Sequence, residues 1–178
     1  MGRPGRPPHY ELHAGGVPPQ LEKRRGRPTT SFAPVGYPRN RKKEGAMTLI
    51  DRMQELLEAE RAGVKCLDVM ADHAADMGKK ELFSLFRNDE GKFCAGLFRL
   101  LQAHGAVPTK NVGAFADRVI ALPTEAEQVA LLVKGQAWVV RKIDEIPPEE
   151  KNAEEKAFFA DMREVHVVNI EKCRKFVS

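Results

Sequence analysis

The chain has 178 residues with 29 basic and 25 acidic side chains, for a formal net charge of +4; this is one domain's worth with some chain to spare. No apolar run approaches the roughly 20 residues a bilayer span needs, and no apolar core of a secretory signal stands near the N-terminus, so no membrane partner is expected. Three cysteines without a Cys-x-x-Cys spacing read as free thiols of a reducing cytoplasm, each acting as a small buried hydrophobe.

Residues 1–46 hold 8 of the 12 prolines and 7 of the 14 glycines, with ten Lys or Arg against three acids, about +7. Their apolar surface is too small to offset the entropy of ordering, so a disordered basic tail is expected. Gly2-Arg3-Pro4-Gly5-Arg6-Pro7 and Arg25-Gly26-Arg27-Pro28 have the form of hooks that lie in an A·T-rich minor groove. Weak nucleic-acid contact is therefore confined to the tail. The competing readings are a plain solvated tail and a start placed upstream of a natural one at Met47. Residues 47–178 carry 19 basic and 22 acidic groups, a balance that argues against a nucleic-acid-binding core.

The first predicted helix covers about residues 48–77, with Thr48 as cap and Asp51 closing a capping box. Leu49, Met53, Leu56, Leu57, Val64, Leu67, Met70, Ala71 and Ala74 recur at the helical period, and Gly78 suits its stop. A second helix covers about 79–104 on Leu82, Phe86, Phe93, Leu97, Leu100 and Leu101, ending at Gly105 and Pro108. The connection 104–124 is long for a bundle and holds one minor helix within 112–122. Thr124-Glu125-Ala126-Glu127 opens a third main helix, which runs to about Ile146 with Val129, Leu132, Val133, Val140 and Ile143 inward. The fourth starts at Pro148, which a first helical turn tolerates. It runs to about Phe176 with Phe158, Met162, Val165, Cys173 and Phe176 inward. The charged stretch 149–156 reads as solvated helix surface.

Short connections make two antiparallel hairpins, and the long middle one lets the chain cross the length of the bundle. The expected fold is all-α: a ferritin-like four-helix bundle with up-down-down-up topology over 47–178.

Helices advance about 100° per residue, and on that wheel each one turns a polar side chain inward. Glu60 falls near the apolar centre of the first helix while Glu58 points away. Glu90 does so on the second, with Asp89 nearer the edge. Gln136 lies on the centre line of the third. Asn169 is central on the fourth, and His166 stands at the border. Carboxylates and imidazole suit iron or manganese, so Glu60, Glu90 and His166 are the candidate metal ligands. Gln136 and Asn169 are candidates for a buried hydrogen-bond network reaching Arg141. Counted from Gly78, Glu60 and Glu90 differ in height by roughly 9 Å at about 1.5 Å per residue. Trp138, with Val139 and Leu131, falls opposite the inward stripe. It marks either a homodimer face or a surface covered by the crossover.

The segments Leu56-Leu57-Glu58-Ala59-Glu60-Arg61-Ala62-Gly63, Asn88-Asp89-Glu90-Gly91-Lys92-Phe93-Cys94, Gly135-Gln136-Ala137-Trp138-Val139-Val140-Arg141-Lys142 and His166-Val167-Val168-Asn169-Ile170-Glu171-Lys172-Cys173 resemble those of a bacterial domain family of unassigned activity within the ferritin-like superfamily. The resemblance covers about residues 48–176. Di-iron members of that superfamily use one Glu on each of two helices and Glu-x-x-His on each of the others. Glu60 and Glu90 match two of those positions. Phe93 stands where the histidine after Glu90 belongs, Gln136 where a third Glu belongs, and Arg163 three residues before His166, where a carboxylate is wanted. The resemblance implies a depleted site.

No Gly-rich phosphate loop, nucleophile elbow or Cys/His zinc spacing occurs, and no catalytic residue is assigned. The expected function is a non-catalytic or weakly metal-binding bundle with a degenerate interior site. The alternatives are an iron- or manganese-dependent oxidoreductase with a reduced ligand set, and a dimerisation module acting through the Trp138 face.

Overall fold

The computed structural model describes residues 47–177, with side chains to 175. The expectations for the 1–46 tail, and for the Phe176 side chain, lie outside that description. Helix α1 spans Leu49–Asp72, α2 Met77–Ala103, the short α3 Phe115–Ile120, α4 Glu125–Asp144 and α5 Ala153–Val177. No strand occurs among the described residues.

The caps explain most boundaries. Thr48 and Asp51 form the reciprocal box: the Asp51 amide donates to the Thr48 hydroxyl at 3.1 Å, and the Thr48 amide to the Asp51 carboxylate at 3.0 Å. Gly78 does not end α1. Asp76 accepts from the Lys79 amide at 2.9 Å and starts α2, so Gly78 falls in its first turn. Gly105, at φ +69, ends α2 in the left-handed conformation, and the Ala106 amide reaches back to the Leu101 carbonyl at 2.9 Å. Thr124 caps α4.

Pro148 starts only a 3-10 turn over Pro148–Glu150. The chain then breaks, and α5 begins from a second reciprocal cap. The Glu155 amide donates to Asn152 at 3.0 Å, and the Asn152 amide to the Glu155 carboxylate at 2.7 Å. Glu155 is therefore buried rather than solvated. A carboxylate satisfied by a backbone amide and by His104, 2.5 Å away, can be buried at tolerable cost.

Ion pairs between helices give their directions. Arg52 meets Glu145 and Glu55 meets Lys142 at one end of α1, while Lys79 meets Glu125 beyond the other; α1 and α4 are antiparallel. Lys92 pairs with Asp161, and His104 with Glu155; α2 and α5 are antiparallel. With α1 packed on α2 and α4 on α5, the order is up, down, down, up, as the long connection requires.

That connection is fastened to the outer face of α1. Gln54, Glu58 and Arg61, spaced i, i+4, i+7, share one side of the helix. Gln54 bonds both Val107 and Thr109, Glu58 accepts from Thr109 and Asn111, and Arg61 donates to the Thr109 carbonyl. An irregular segment keeps its backbone groups partnered in this way.

The apolar interior is divided in two. One cluster gathers Met53, Leu56, Leu57, Phe93, Leu97, Ile143, Phe159 and their neighbours. The other gathers Leu67, Met70, Phe83, Phe86, Val119, Leu132 and theirs. Phe83 and Phe159 are more buried than the expected Leu82 and Phe158. Between the two clusters, at mid-height, lies a polar layer.

Candidate metal centre

Glu60 from α1, Glu90 from α2, Gln136 from α4 and His166 from α5 turn into this layer and are all at most 3% exposed. The expected 9 Å offset between Glu60 and Glu90 is absent. The turn between α1 and α2 centres on Ala75, not Gly78, and the two glutamates lie 15 residues either side of it. Gln136 and His166 stand 15 residues either side of Lys151, in the break between α4 and α5. Equal arms bring all four to one level.

One ligand atom each from Glu60, Glu90 and His166 lies within 4.8 Å of the others. The His166 Nδ1 is 2.8 Å from the Met162 carbonyl. A carbonyl only accepts, so Nδ1 carries the proton and Nε2 presents its lone pair to the layer. Nε2 stands 3.3 Å from Glu60 Oε1. Gln136 donates its Nε2 amide to Glu90 Oε1 at 2.5 Å. Both Glu60 oxygens, Gln136 Oε1 and His166 Nε2 are buried with no hydrogen-bond partner. Apart from the Gln136 amide the centre is a group of acceptors, an arrangement that costs free energy until a proton or a cation enters.

The titration behaviour follows. Burial pushes the Glu60 carboxyl up to about 8, with its contact to Glu90 opposing part of the rise. Glu90 is held well above the usual carboxylate range by burial and then by the Glu60 charge, while His166 and Gln136 pull it down. Two facing carboxylates in an apolar interior cannot both ionise unless a cation binds between them; without one they share a proton.

The surroundings shape the site. A Cβ at Gly63, one turn along α1 from Glu60, would collide with the Glu90 carboxyl. Gly63 thus makes room for it, and its signal in the sequence is a glycine in a helix interior, which costs about 1 kcal/mol relative to alanine. Phe93, where a histidine ligand was wanted, packs against the His166 ring at 5.7 Å between centroids. Arg163 faces outward and pairs with Asp144. Asn169 does not join the cluster. Its amide donates to Asp89 at 3.3 Å, one turn away from His166, and Arg141 is exposed and contacts none of these groups.

Beside Glu90 and Gln136 opens a cavity of about 500 Å³ between α1, α4 and the crossover. Trp138 forms part of its wall and is half-buried rather than exposed, and Val139 is buried in the core. The crossover covers this face, which removes the exposed tryptophan that had suggested a dimer surface. Burial pushes the thiols of Cys66, Cys94 and Cys173 up to about 12. All three are free, and none contributes a thiolate at neutral pH.

No helix among the described residues is long and apolar enough to cross a membrane. No curated protein and no solved structure matches the chain. A family model does match, over residues 47–175, so that its limits coincide with the helical domain and enclose all four residues of the polar layer; the chain belongs to the family described as a domain of unknown function, DUF6306.

Proposed function

We propose that this domain is a ferritin-like bundle that binds one divalent metal ion, iron or manganese, through Glu60, Glu90 and His166. One observation carries the reading: three convergent ligand atoms lie within 4.8 Å of one another, all buried, and those of Glu60 and His166 have no hydrogen-bond partner. A purely hydrogen-bonded network would pair those atoms with donor side chains, and among the described residues the Gln136 amide is the one donor side chain at the cluster, spent on Glu90. Two carboxylates and one imidazole suit a hard-to-borderline divalent ion. They are too few for the two ions that six ligands hold in di-iron bundles.

Each residue has a distinct part. His166 offers Nε2, its ring fixed by the Met162 carbonyl. Glu60 closes the centre from the dry side. Glu90, oriented by Gln136, faces the cavity. A bound ion would supply Lewis acidity or one-electron chemistry there. The cavity beside Glu90 favours, as a second reading, an oxidoreductase with a reduced ligand set, because a small molecule can approach the ion from that side. Free thiols fit the reducing cytoplasm.

The test is metal content by mass spectrometry on protein purified without chelators. About one equivalent is expected in the wild type and almost none in Glu60→Gln or His166→Ala. A metal-free wild type whose melting temperature is unmoved by Mn(II) or Fe(II) would falsify the proposal.

A further inference from the structure

The cavity beside the polar layer has walls and a mouth of different chemistry. Phe115, Leu131, Trp138, Val139 and Ala59 make its sides apolar. Its volume of about 500 Å³ falls within the range that small-molecule sites occupy. On α4 the residues Leu131, Lys134, Trp138 and Arg141 recur at i, i+3, i+7 and i+10, which places them along one face. Lys134 and Arg141 are exposed, as is Arg118 on α3. Among the described residues none of these three cations has a hydrogen-bond or ion-pair partner.

The acids at the same rim are already engaged. Glu58 accepts from Thr109 and Asn111, and Glu55 pairs with Lys142 at 3.8 Å. Lys142 offsets the Glu55 charge, so Arg118, Lys134 and Arg141 face Glu58 alone, and the net positive mouth suits an anionic head group. The chain also has no Gly-rich phosphate loop.

We infer that this cavity binds a small monocarboxylate with an apolar body, its carboxylate at Arg118, Lys134 and Arg141 and its tail along Trp138 toward Glu90. A planar guanidinium can take a carboxylate bidentately, and the aromatic walls bury the tail. The inference goes beyond the metal centre and does not depend on an ion being bound.

Trp138 is the sole tryptophan of the chain, so its fluorescence reports the cavity directly. Decanoate, kept below its micellar concentration, is titrated into the full-length protein, with decanol as the uncharged comparison. A saturable change is expected with decanoate. Binding should weaken roughly tenfold or more in Arg118→Ala/Arg141→Ala, as expected for losing charged hydrogen bonds, while decanol binding stays unchanged. Both replaced residues are exposed, so the variant should fold. No saturable signal, or equal decanoate affinity in the double variant, overturns the inference. Glu60→Gln serves as the second control. It disables the metal centre and should leave decanoate affinity within about twofold; decanoate binding lost there but kept in the arginine variant would place the carboxylate on the ion and overturn the proposed orientation.

Discussion

Glu60 Oε1 lies 3.3 Å from His166 Nε2, and the imidazole brings no proton to the contact, because its N–H is committed to the Met162 carbonyl; once Glu60 ionises, the contact has no donor. A glutamine at position 60 supplies the missing donor without changing the shape. In the presence of EDTA, Glu60→Gln should melt higher than the wild type at pH 8. Glu60→Ala leaves a cavity and should be less stable by about 2–3 kcal/mol. Scanning calorimetry of the two variants decides this, and a lower melting temperature for Glu60→Gln would show that the carboxylate already has a partner.

The raised pKa of Glu60 sets a pH window. Its carboxyl titrates at about 8 when folded against 4.5 in its ordinary state, so the folded protein holds a proton that the unfolded chain releases. That contribution to stability is complete below pH 4.5 and is lost as pH rises through 8. Metal-free protein should therefore lose a few kcal/mol of stability between pH 5 and pH 8.5, and Glu60→Gln should flatten the decline. Urea denaturation at several pH values measures it.

Metal binding runs the opposite way with pH. An ion must displace the proton that the two carboxylates share, so apparent affinity should climb by up to roughly tenfold per pH unit between 6 and 8. Competition titration with a fluorescent chelator follows the slope. A flat profile would mean that the carboxylates are already ionised in the metal-free protein.

Gly63→Ala sets two effects against each other. Alanine improves helix propensity by about 1 kcal/mol, whereas its methyl group collides with the Glu90 carboxyl. Displacing a buried carboxylate costs more, so a net loss of about 1–3 kcal/mol is expected. Bound metal should fall in parallel, which chemical denaturation and metal analysis on the same preparation check together.

Gln136→Glu removes the amide that donates to Glu90 and adds a third carboxylate to the layer. Without metal at neutral pH the variant should be about 2–4 kcal/mol less stable. Saturating Mn(II) should recover most of that loss, because an added carboxylate is also an added ligand. Melting curves with and without the ion separate the two effects.

The sequence carried much of this. Thr48, Asp51 and Thr124 mark their helix starts by short-range chemistry, and Glu60, Glu90 and Gln136 announce themselves as polar groups in apolar stripes, whereas the wheel puts Asn169 at the centre of α5 and His166 only at its border. Gly78 misleads on height, because the Asp76 side chain, capping Lys79, moves the hairpin centre to Ala75. Trp138 and Val139 were misplaced because the wheel assumes one buried side. Helix α4 has two, one on the core and one under the crossover. Nor does any periodicity show that Asn152 rather than Pro148 starts α5, since that depends on Glu155 folding back onto the Asn152 amide.

The matched 15-residue arms of the two hairpins restrict how related chains can vary. One residue inserted between a hairpin turn and its inward group would swing that group about 100° and lift it about 1.5 Å, out of reach of its three companions. Length changes are tolerable only where nothing is levelled by counting, in the strap across 104–114 and outside the bundle. Relatives that keep the pocket should therefore be colinear along all four long helices and gapped along the strap.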